Sequence, residues 1–402
     1  MSVGRQSLRI LTFTTLYPNA AQPVHGVFVE NRIRHLAASG EVSVEVVAPV
    51  PWFPFRSARF GRYAAFARAP RREERFGLTV HHPRYPVIPK FGMTAAPQLL
   101  YRAVRPFVAD LIRERGGFDL IDAHYFYPDG VAATLLGRHF GLPVVITARG
   151  TDVNVIPRYR MARRQILEAA RRAAGLIAVC ADIKRILMEL GIDAERVRVL
   201  RNGVDLQQFK PVDPAEARRQ YGVTGTVLVS VGGLIPRKGH DLTIAALAQL
   251  PGATLLIAGE GPEHAALVDL AGRLGVAERV RFLGRVAHGD LPTLYSTADA
   301  MVLASSFEGW ANVLLESMAC GTPVVAFDAG GTSEVVSDPA AGILLADRSV
   351  PSLVDGVKRL LSDPPPRRAT RAYAEKFDWN ATTEGQIRLF RDVLTADRRR
   401  LT

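Results

Sequence analysis

Two glutamates eight positions apart, Glu308 and Glu316, have the spacing in this 402-residue chain that points most directly to chemistry. The apolar segment between them follows the apolar run Ala300–Leu303, an order that predicts a strand, a loop and a helix. We expect Glu308 in the loop and Glu316 about two turns into the helix, on a similar face. Carboxylates near a helix start accept hydrogen bonds from sugar hydroxyls. The glycines around the pair make two unrelated surface acids the weaker interpretation.

A glycine-rich loop with two adjacent cations is the second signal. The segment SVGGLIPRKG contains Gly232, Gly233, Arg237 and Lys238 between a predicted strand and a predicted helix. Glycines let backbone N–H groups approach a phosphate, and the two cations supply charge to a diphosphate. The loop matches neither G-x-x-x-x-G-K-[ST] nor G-x-G-x-x-G. A basic surface turn is the alternative if this loop is considered alone.

Two further predicted strand ends carry polar or glycine-rich loops. Ala258 is followed by Gly259, Glu260 and Gly261, and the next strand is followed by Arg285 and Val286. Each loop alone is indistinguishable from a plain turn. Four consecutive strand ends with such loops predict a nucleotide pocket.

The first half of the chain offers a smaller set of candidates at predicted strand ends. Gly26 precedes a predicted helix, His124 ends a strand, and Arg149 follows another. His124 is expected to bind a sugar hydroxyl or assist acid–base chemistry, with a structural histidine as the alternative. The sequence contains no Asp-x-Asp, no metal-ligand spacing and no C-x-x-C involving Cys180 or Cys320. We therefore expect no metal and no resident cofactor, so that arginine, lysine and helix N-termini neutralise any diphosphate.

Short apolar runs alternate with helical stretches along the chain, a pattern typical of parallel α/β sheets covered on both faces. The expected fold class is α/β, with two Rossmann-like domains facing an interdomain cleft, although the pattern alone leaves a barrel open. We assign residues 1–203 to an N-terminal domain and residues 204–377 to a nucleotide-binding domain, with a terminal helix over about 378–402 returning to the first. The predicted strands are Ile10–Thr14, Val42–Ala48, Leu78–His82, Leu120–Ala123, Val144–Ala148, Leu176–Val179, Val197–Leu200, Val227–Val231, Thr254–Ala258, Val280–Leu283, Ala300–Leu303, Val324–Phe327 and Gly342–Leu344.

The excess of positive over negative charge is confined to the first half of the chain. Residues 1–203 contain 30 Lys+Arg and 16 Asp+Glu, whereas the remainder contains 21 and 23. An Arg- and aromatic-rich loop over 52–75 and a basic helix over 158–172 with a weak apolar face concentrate this charge. Arginine beside aromatic rings suits anionic lipid headgroups better than single-stranded nucleic acid, and a solvated basic surface is the other alternative. We expect an anionic membrane surface as a partner and no nucleic acid.

The composition, 48% hydrophobic and 22% charged, excludes a disordered or fibrous chain. Apolar runs fall short of the ~20 residues that a membrane crossing requires, and the N-terminus lacks a secretory signal pattern. The expected location is the cytoplasm, peripheral to the inner face of the cell membrane.

The motifs over 226–336, namely GGLIPRKG, GEGP, FLGR, the two spaced glutamates and CGTPVVAFDAGG, resemble those of GT-B retaining glycosyltransferases of family 4 (glycosyltransferase group 1). LYPNAAQPVHGVFVENRIRHLA, AHYFYPDG, TARGTDVN and RNGVD are similar to transferases of teichuronic-acid and capsule polysaccharide biosynthesis. The resemblance covers essentially the whole chain. It departs where many relatives have His-Gly-x-Asp and this chain has Arg149-Gly150-Thr151-Asp152, and where Trp310-Ala-Asn312 replaces Phe-Gly-x.

The resemblance implies a role for each candidate residue. Arg237 and Lys238 would hold the donor diphosphate, Glu316 the ribose hydroxyls, and Glu308 the transferred sugar. The other implied contacts lie around these: Gly26 at the diphosphate and sugar, His124 in the cleft, Arg285 and Val286 beside the base, and Gly233, Gly259, Glu260, Asn312 and Leu315 as further donor contacts.

The implied reaction moves a hexosyl-type sugar, with retention, from a nucleotide diphosphate sugar, expected to be UDP-linked, to a glycan or lipid-linked acceptor in bacterial cell-surface polysaccharide biosynthesis. A sugar-nucleotide epimerase of the same fold would share the nucleotide pocket but need no acceptor. A non-catalytic binder of anionic membranes or nucleic acid would explain the basic half and leave the two glutamates without a purpose. A Rossmann dehydrogenase is disfavoured because no G-x-G-x-x-G opens the first domain.

Overall fold

The computed structural model describes residues 7–88 and 92–401. The chain forms two compact units: unit 1 comprises Met1–Arg201 and Asn380–Thr402, and unit 2 comprises Asn202–Trp379. These bounds lie two residues from the domain boundaries expected from the sequence.

Unit 1 is built on an eight-stranded sheet in the order β10-β9-β8-β7-β1-β2-β5-β4, with β3 and β6 forming a separate pair. The central strands β7, β8 and β9 are buried along their whole length, as expected for apolar strands covered on both faces. The strands are β1 Leu8–Phe13, β2 Val42–Val47, β3 Val50–Pro51, β4 Arg72–Arg75, β5 Leu78–His81, β6 Arg84–Tyr85, β7 Leu120–His124, β8 Val144–Ala148, β9 Gly175–Ala178 and β10 Val197–Val199.

The edge strand β4 departs from the expected all-parallel sheet, because it pairs with β5 in the antiparallel direction. Its sequence, REER, has no apolar run and so gave no strand signal. Phe76 and Gly77 join the two strands, and both have positive φ angles, 51° and 77°. A two-residue turn of this kind matches the twist of an antiparallel hairpin.

The helices of unit 1 flank the sheet at the connections between its parallel strands. They are α1 Val27–Ala38, α2 Arg62–Arg68, α3 Ala96–Arg115, α4 Val131–Phe140, α5 Thr151–Asn154, α6 Arg160–Arg172 and α7 Ala181–Glu189.

Two of these helices revise the sequence analysis. The expected loop over 52–75 contains α2 as well as β4. The basic helix α6 buries Ala162, Ile166, Ala169 and Ala170, which recur every three or four residues. Its apolar face is therefore a regular stripe, and it was underestimated because three of the four residues are alanines.

Unit 2 contains a six-stranded sheet, parallel throughout, in the order β13-β12-β11-β14-β15-β16. Its strands are β11 Thr226–Val231, β12 Ala253–Ala258, β13 Val280–Gly284, β14 Ala300–Leu303, β15 Val324–Phe327 and β16 Gly342–Leu345. Its helices are α8 Pro214–Tyr221, α9 His240–Leu247, α10 His264–Arg273, α11 Leu291–Thr297, α12 Asn312–Ala319, α13 Thr332–Val335, α14 Val350–Ser362 and α15 Arg367–Ala374. Each strand predicted in this half agrees with an observed strand to within a residue.

The C-terminal helix α16, Asn380–Leu401, belongs to unit 1. Ile387, Phe390 and Val393 enter the same buried cluster as Val145 and Ile177 of the central strands. A side chain at Gly175 of β9 would press on the side chains of Leu389 and Val393, so the close approach of this helix favours a glycine there.

Candidate active site

The two adjacent cations Arg237 and Lys238 lie in a short 3-10 turn, Pro236–Lys238, that follows β11. A side chain at Gly232 would touch the aliphatic part of Lys238, and a side chain at Gly259 would overlap the Gly232 carbonyl. Both glycines also have φ near 154°. The glycines of neighbouring strand ends therefore let two loops and the Lys238 side chain pack together at one edge of the sheet.

Glu308 lies beside both cations, in the loop that follows β14. Lys238 Nζ donates to Glu308 Oε1 at 2.7 Å, and the Ser305 hydroxyl donates to the same oxygen at 2.6 Å. Arg237 Nη1 is 3.4 Å from Oε2 and donates to the Phe307 carbonyl at 2.5 Å. Glu308 is only 7% exposed, so its carboxylate points into the protein.

The pKa of Glu308 results from opposing effects. Burial raises it, but the charges of Lys238 and Arg237, with the hydrogen bonds from Lys238 and Ser305, outweigh burial and hold the pKa below its ordinary value. The carboxylate is therefore ionised at neutral pH. An ammonium has three N–H donors and a guanidinium five, so both cations keep donors for a further anion.

Glu316 lies on α12, just over one turn from its start and not two turns as expected, because the helix begins later, at Asn312. Tyr295 OH donates to Glu316 Oε2 at 3.0 Å, and His288 Nε2 is 3.8 Å from Oε1. Gln208 Nε2 lies 2.6 Å from His288 Nδ1 and fixes the ring. None of Tyr295, His288 and Gln208 was identified from the sequence, since their spacing along the chain carries no signal.

The remaining candidates of unit 2 divide by exposure. Glu260 and Arg285 form an ion pair at 2.7 Å, with both side chains about half exposed. Gly233 lies near the Glu260 carbonyl, and Val286 is half-buried. Leu315 is fully buried, so only its backbone stays a candidate for ligand binding.

Asn312 begins α12, and its side-chain oxygen lies 3.4 Å from the Asn202 amide. Sheet order makes β13, β12, β11 and β14 neighbours. All four polar loops therefore follow adjacent strands at the carboxyl edge, where open parallel sheets bind ligands. The assigned roles of these residues stay predictions.

Unit 1 brings its three candidates to the carboxyl ends of adjacent strands β1, β7 and β8. Gly26 precedes α1 with φ of 76°, and a side chain there would overlap the Leu16 backbone. Arg149 Nη2 donates to His124 Nδ1 at 2.7 Å, and its guanidinium carbon is 5.3 Å from the centre of the Phe28 ring.

His124 is fully buried, and its Nε2 is 3.0 Å from Asp122 Oδ2. Burial is the main cause that lowers the pKa of His124 to about 4; the Arg149 charge acts in the same direction, and Asp122 opposes both. The imidazole is therefore neutral at pH 7, with both nitrogens directed at protein groups. Its predicted contact with the sugar or the transferred proton stays a prediction.

The described ranges lack two features that would indicate other kinds of site. No set of three or more His, Cys, Asp or Glu side chains there is arranged to hold a metal ion. None of the helices in those ranges combines the length and the apolar character that a membrane crossing would need.

Comparison with known proteins places the chain in a known class. Residues 25–208 match the family model described as Glycosyltransferase Family 4, and residues 215–377 match Glycosyl transferases group 1. Sucrose-phosphate synthase from Thermosynechococcus elongatus has a TM-score of 0.82 at 22% identity, over 97% of this chain and all of that one. The Anabaena protein HepE, in complex with UDP, has a TM-score of 0.73 at 22% identity, over 96% of this chain and all of that one.

Curated relatives are more similar in sequence. A D-inositol 3-phosphate glycosyltransferase of Frankia alni is 34% identical over 326 residues, which is 72% of this chain and 79% of the relative. The Mycobacterium bovis enzyme of the same name is 32% identical over 71% of this chain, which spans only 64% of that relative's length. The chain therefore belongs to the GT-B glycosyltransferases of family 4, and the expected fold class and enzyme class are confirmed: it is a glycosyltransferase that uses a nucleotide sugar.

Proposed function

We propose that the protein transfers a hexosyl group, with retention of configuration, from a UDP-sugar to a glycan or lipid-linked acceptor of a bacterial cell-surface polysaccharide. The observation that carries this proposal is the pairing of Lys238 Nζ with Glu308 Oε1 at 2.7 Å, at the ends of neighbouring strands. It sets a cation for a diphosphate beside an ionised acceptor for sugar hydroxyls. The UDP in the HepE complex supports the choice of nucleotide.

The charge balance of this loop pair favours an anionic leaving group such as a diphosphate. Arg237 and Lys238 carry two positive charges against the single negative charge of Glu308, and the Glu260–Arg285 pair is neutral. As the bond between the anomeric carbon and the phosphate oxygen breaks, negative charge grows on the diphosphate. Cations already oriented toward that position stabilise the charge without reorganisation, which is the largest catalytic effect in many enzymes.

Retention follows in this proposal from attack on the face that the leaving group occupies. The acceptor oxygen bonds to the anomeric carbon while the departing phosphate oxygen takes the acceptor proton. Glu308 is a weak nucleophile here, because Lys238 and Ser305 both donate to its Oε1 and hold its pKa low. We therefore assign it to the hydroxyls of the transferred sugar. Glu316, whose carboxylate Tyr295 orients, would take the ribose hydroxyls.

The test is a transfer assay with UDP-, GDP- and ADP-sugars, followed by proton NMR of the product linkage. We expect UDP release that depends on acceptor and a product with the donor's anomeric configuration. Inversion, or the absence of transfer from every donor with every acceptor, would contradict the proposal. Acceptor-independent release of free nucleotide with an epimerised sugar would establish the epimerase alternative.

A membrane-associated acceptor is supported by two exposed aromatic–basic segments of unit 1, one with Trp52, Phe55, Arg56 and Arg59 and the other with Tyr159, Met161, Arg163 and Arg164. All eight side chains are exposed, Trp52 by 59% and Phe55 by 53%. Trp52 N bonds to the carbonyl of Tyr85 in β6 at 2.7 Å, and Gln165 of α6 bonds to the Thr94 carbonyl at 3.1 Å. Exposed aromatic rings beside arginines fit the interface of an anionic bilayer.

Liposome flotation tests the membrane proposal. We expect binding to vesicles with anionic lipid, little binding to neutral vesicles, and loss of binding in Trp52→Ala/Phe55→Ala. The matched control replaces two exposed apolar residues of unit 2, Val268→Ala/Leu274→Ala, and should bind as wild type. Equal binding to both vesicle types, or none, would contradict the proposal.

A small phosphorylated polyol is a second candidate acceptor, favoured by one observation: the 34%-identical Frankia relative is named a D-inositol 3-phosphate glycosyltransferase. Parallel assays with an inositol phosphate and with a lipid-linked glycan separate the two. Turnover with the inositol phosphate alone would replace the cell-surface acceptor and leave the donor chemistry unchanged.

A further inference from the structure

A continuous chain of buried polar side chains connects the C-terminal helix to the carboxyl edge of the unit 1 sheet. Arg32 Nε donates to Gln386 Oε1 at 2.7 Å, and Gln386 Nε2 donates to Asp122 Oδ2 at 2.8 Å. Asp122 Oδ2 also accepts from His124 Nε2 at 3.0 Å, and His124 Nδ1 accepts from Arg149 Nη2 at 2.7 Å. Arg32, Gln386, Asp122 and His124 are almost completely buried.

The direction of each hydrogen bond follows from the chemistry of the groups. A guanidinium only donates, so His124 Nδ1 must carry a lone pair and the ring proton must be on Nε2. An ionised carboxylate only accepts, so the Gln386 amide must turn its NH₂ group toward Asp122 and its oxygen toward Arg32. The Arg149 donor and the Asp122 acceptor therefore select the Nε2–H tautomer of His124, and the Gln386 donor holds Asp122 in place.

Burying such a chain is costly unless every link is made, because each unpaired polar group would lose its hydration without compensation. Gln386 is 264 positions from Asp122 along the sequence, and the other residues that α16 places in this core include Ile387 and Phe390. Packing of the helix could be satisfied by an apolar side chain at 386. A glutamine whose two ends meet Arg32 and Asp122 indicates that this position serves the polar chain.

Arg149, the last member of the chain, lies where a ligand would be expected. It follows β8 at the carboxyl edge of the sheet, beside the first turn of α1, and it retains 8% exposure. Asp152 accepts from the backbone N–H of Arg149 at 3.1 Å and of Gly150 at 2.7 Å. Backbone and guanidinium are therefore fixed independently, the backbone by Asp152 and the guanidinium by His124.

We propose that Gln386 and Asp122 are positioning residues that act through His124 on Arg149, and that Arg149 is the side chain of unit 1 that contacts a phosphate or sugar oxygen of the substrate. This inference rests on the proposed sugar transfer. It assigns His124 to positioning, because both of its nitrogens are used within the chain. A guanidinium held at a ligand-binding edge suits a phosphate oxygen of either the donor or the acceptor.

The first experiment compares Gln386→Met, which removes both amide bonds at similar volume, with Ile387→Val on the same helix, which loses one buried methyl group outside the polar chain. We expect kcat/KM to fall on the order of tenfold in Gln386→Met, as for a lost hydrogen bond to a charged group, and to stay within about twofold in Ile387→Val. A rise in KM for the donor identifies a donor phosphate as the partner of Arg149, and a rise for the acceptor identifies an acceptor oxygen. Equal activities of the two variants would overturn the proposal.

The second experiment separates positioning from direct action at His124. Glutamine is neutral and offers a donor group and an acceptor group, as this tautomer of histidine does, whereas the alanine side chain offers neither. We expect His124→Gln to retain activity within about tenfold of wild type and His124→Ala to lose substantially more. Equal inactivity of both variants would show that His124 acts on the substrate itself.

If Gln386→Met does not fold, Gln386→Glu replaces it in the first experiment, because glutamate keeps the acceptor for Arg32 and removes the donor to Asp122.

Nitrogen NMR of histidine-labelled protein tests the chain independently of turnover. Wild type should show a single Nε2–H tautomer for His124, and Gln386→Met should show a mixture. If the wild-type protein shows this tautomer but no transferase activity, the proposed function is wrong, whereas the hydrogen-bonded chain that positions Arg149 is supported. A His124 that carries its proton on Nδ1 in wild type would overturn the inference itself.

Discussion

The two units present charged side chains at the same edge of the same kind of sheet but hold them differently. In unit 2, Arg237 is 38% and Lys238 14% exposed, and a single buried carboxylate balances both. In unit 1, Arg149 and His124 are buried at one end of the chain of buried polar side chains that includes Gln386 of α16. In unit 2, Arg237 and Lys238 therefore keep exposed surface with which they can bind an anion. In unit 1, the side chains of His124 and Arg149 are already held by hydrogen bonds within the protein.

Among these variants, removal of the Lys238 ammonium should have the largest effect on turnover. Lys238→Ala deletes the donor that we propose for the developing diphosphate charge, and it leaves Glu308 without its closest cation. We expect kcat to fall about 100- to 1,000-fold, the scale of a single electrostatic donor, roughly 3–4 kcal/mol. Steady-state kinetics with the preferred donor measures it, and Lys358→Ala, an exposed lysine on α14, is the control. Near-wild-type turnover in Lys238→Ala would refute the role given to the unit 2 cations.

The rigidity of unit 1 is tested at Gly26. Gly26→Ala forces an alanine to a φ of 76° and drives its methyl group into the Leu16 backbone. Gly40→Ala imposes a φ of 72° with open space around it, so it isolates the conformational cost. We expect denaturant unfolding to show losses of about 3 kcal/mol for Gly26→Ala and about 1 kcal/mol for Gly40→Ala. Equal losses would mean that the close approach to Leu16 is relieved at no cost.

The buried histidine should give unit 1 a distinctive pH dependence. The pKa of His124 is about 4 when folded, mainly because of burial, and about 6.5 when unfolded. As the pH falls below 6.5 the unfolded chain binds a proton that the folded chain excludes, so stability is lost until about pH 4 and is fully present above 6.5.

Glutamine at position 124 does not titrate. We therefore expect wild type to lose roughly 2 kcal/mol relative to His124→Gln between pH 7 and pH 5, as measured by denaturant unfolding at each pH. Burial raises the pKa of Asp129 to about 7, so this group increases the stability of the folded chain as the pH falls from 7. That increase occurs in both proteins and cancels in the difference between them. A constant difference across this range would show that His124 is not buried as a neutral group.

The smallest expected effect concerns the support of Glu316. Tyr295→Phe removes the hydroxyl that donates to Oε2 but keeps the ring, which is otherwise buried. We expect the donor KM to rise about three- to tenfold with little change in kcat, since one hydrogen bond that orients a carboxylate is worth about 1 kcal/mol. Phe282→Leu, in β13 and away from Glu316, serves as a comparison in the same sheet. A fall in kcat at unchanged KM would argue against a ribose-binding role.

Local pattern predicted most of the fold and the clustering of the unit 2 candidate residues, because both depend on short stretches of sequence. Apolar runs such as Val144–Ala148 and Val324–Phe327 coincide with observed strands. The loops that carry Lys238 and Glu308 follow adjacent strands, so predicting the strand ends was enough to bring them together. The edge strand β4 was missed because its polar residues carry no apolar signal.

Long-range partners could not be predicted. Gln386 meets Asp122 across 264 positions, and Tyr295 meets Glu316 from a different helix, so no spacing in the sequence encodes either pair. His124 was expected to face the substrate, yet its burial and tautomer depend on Asp122, Arg149 and a glutamine near the C-terminus. Only the three-dimensional packing shows which groups a buried side chain contacts.

The most direct test of the central claim, that the unit 2 cations hold a nucleotide diphosphate, is calorimetric titration of wild type, Lys238→Ala and Lys358→Ala with UDP, GDP, ADP and uridine. We predict that wild type and Lys358→Ala bind one of the diphosphates with the same affinity and bind uridine far more weakly. Lys238→Ala should bind that diphosphate at least tenfold more weakly and uridine unchanged. Equal affinity of wild type and Lys238→Ala for the diphosphate would contradict the claim.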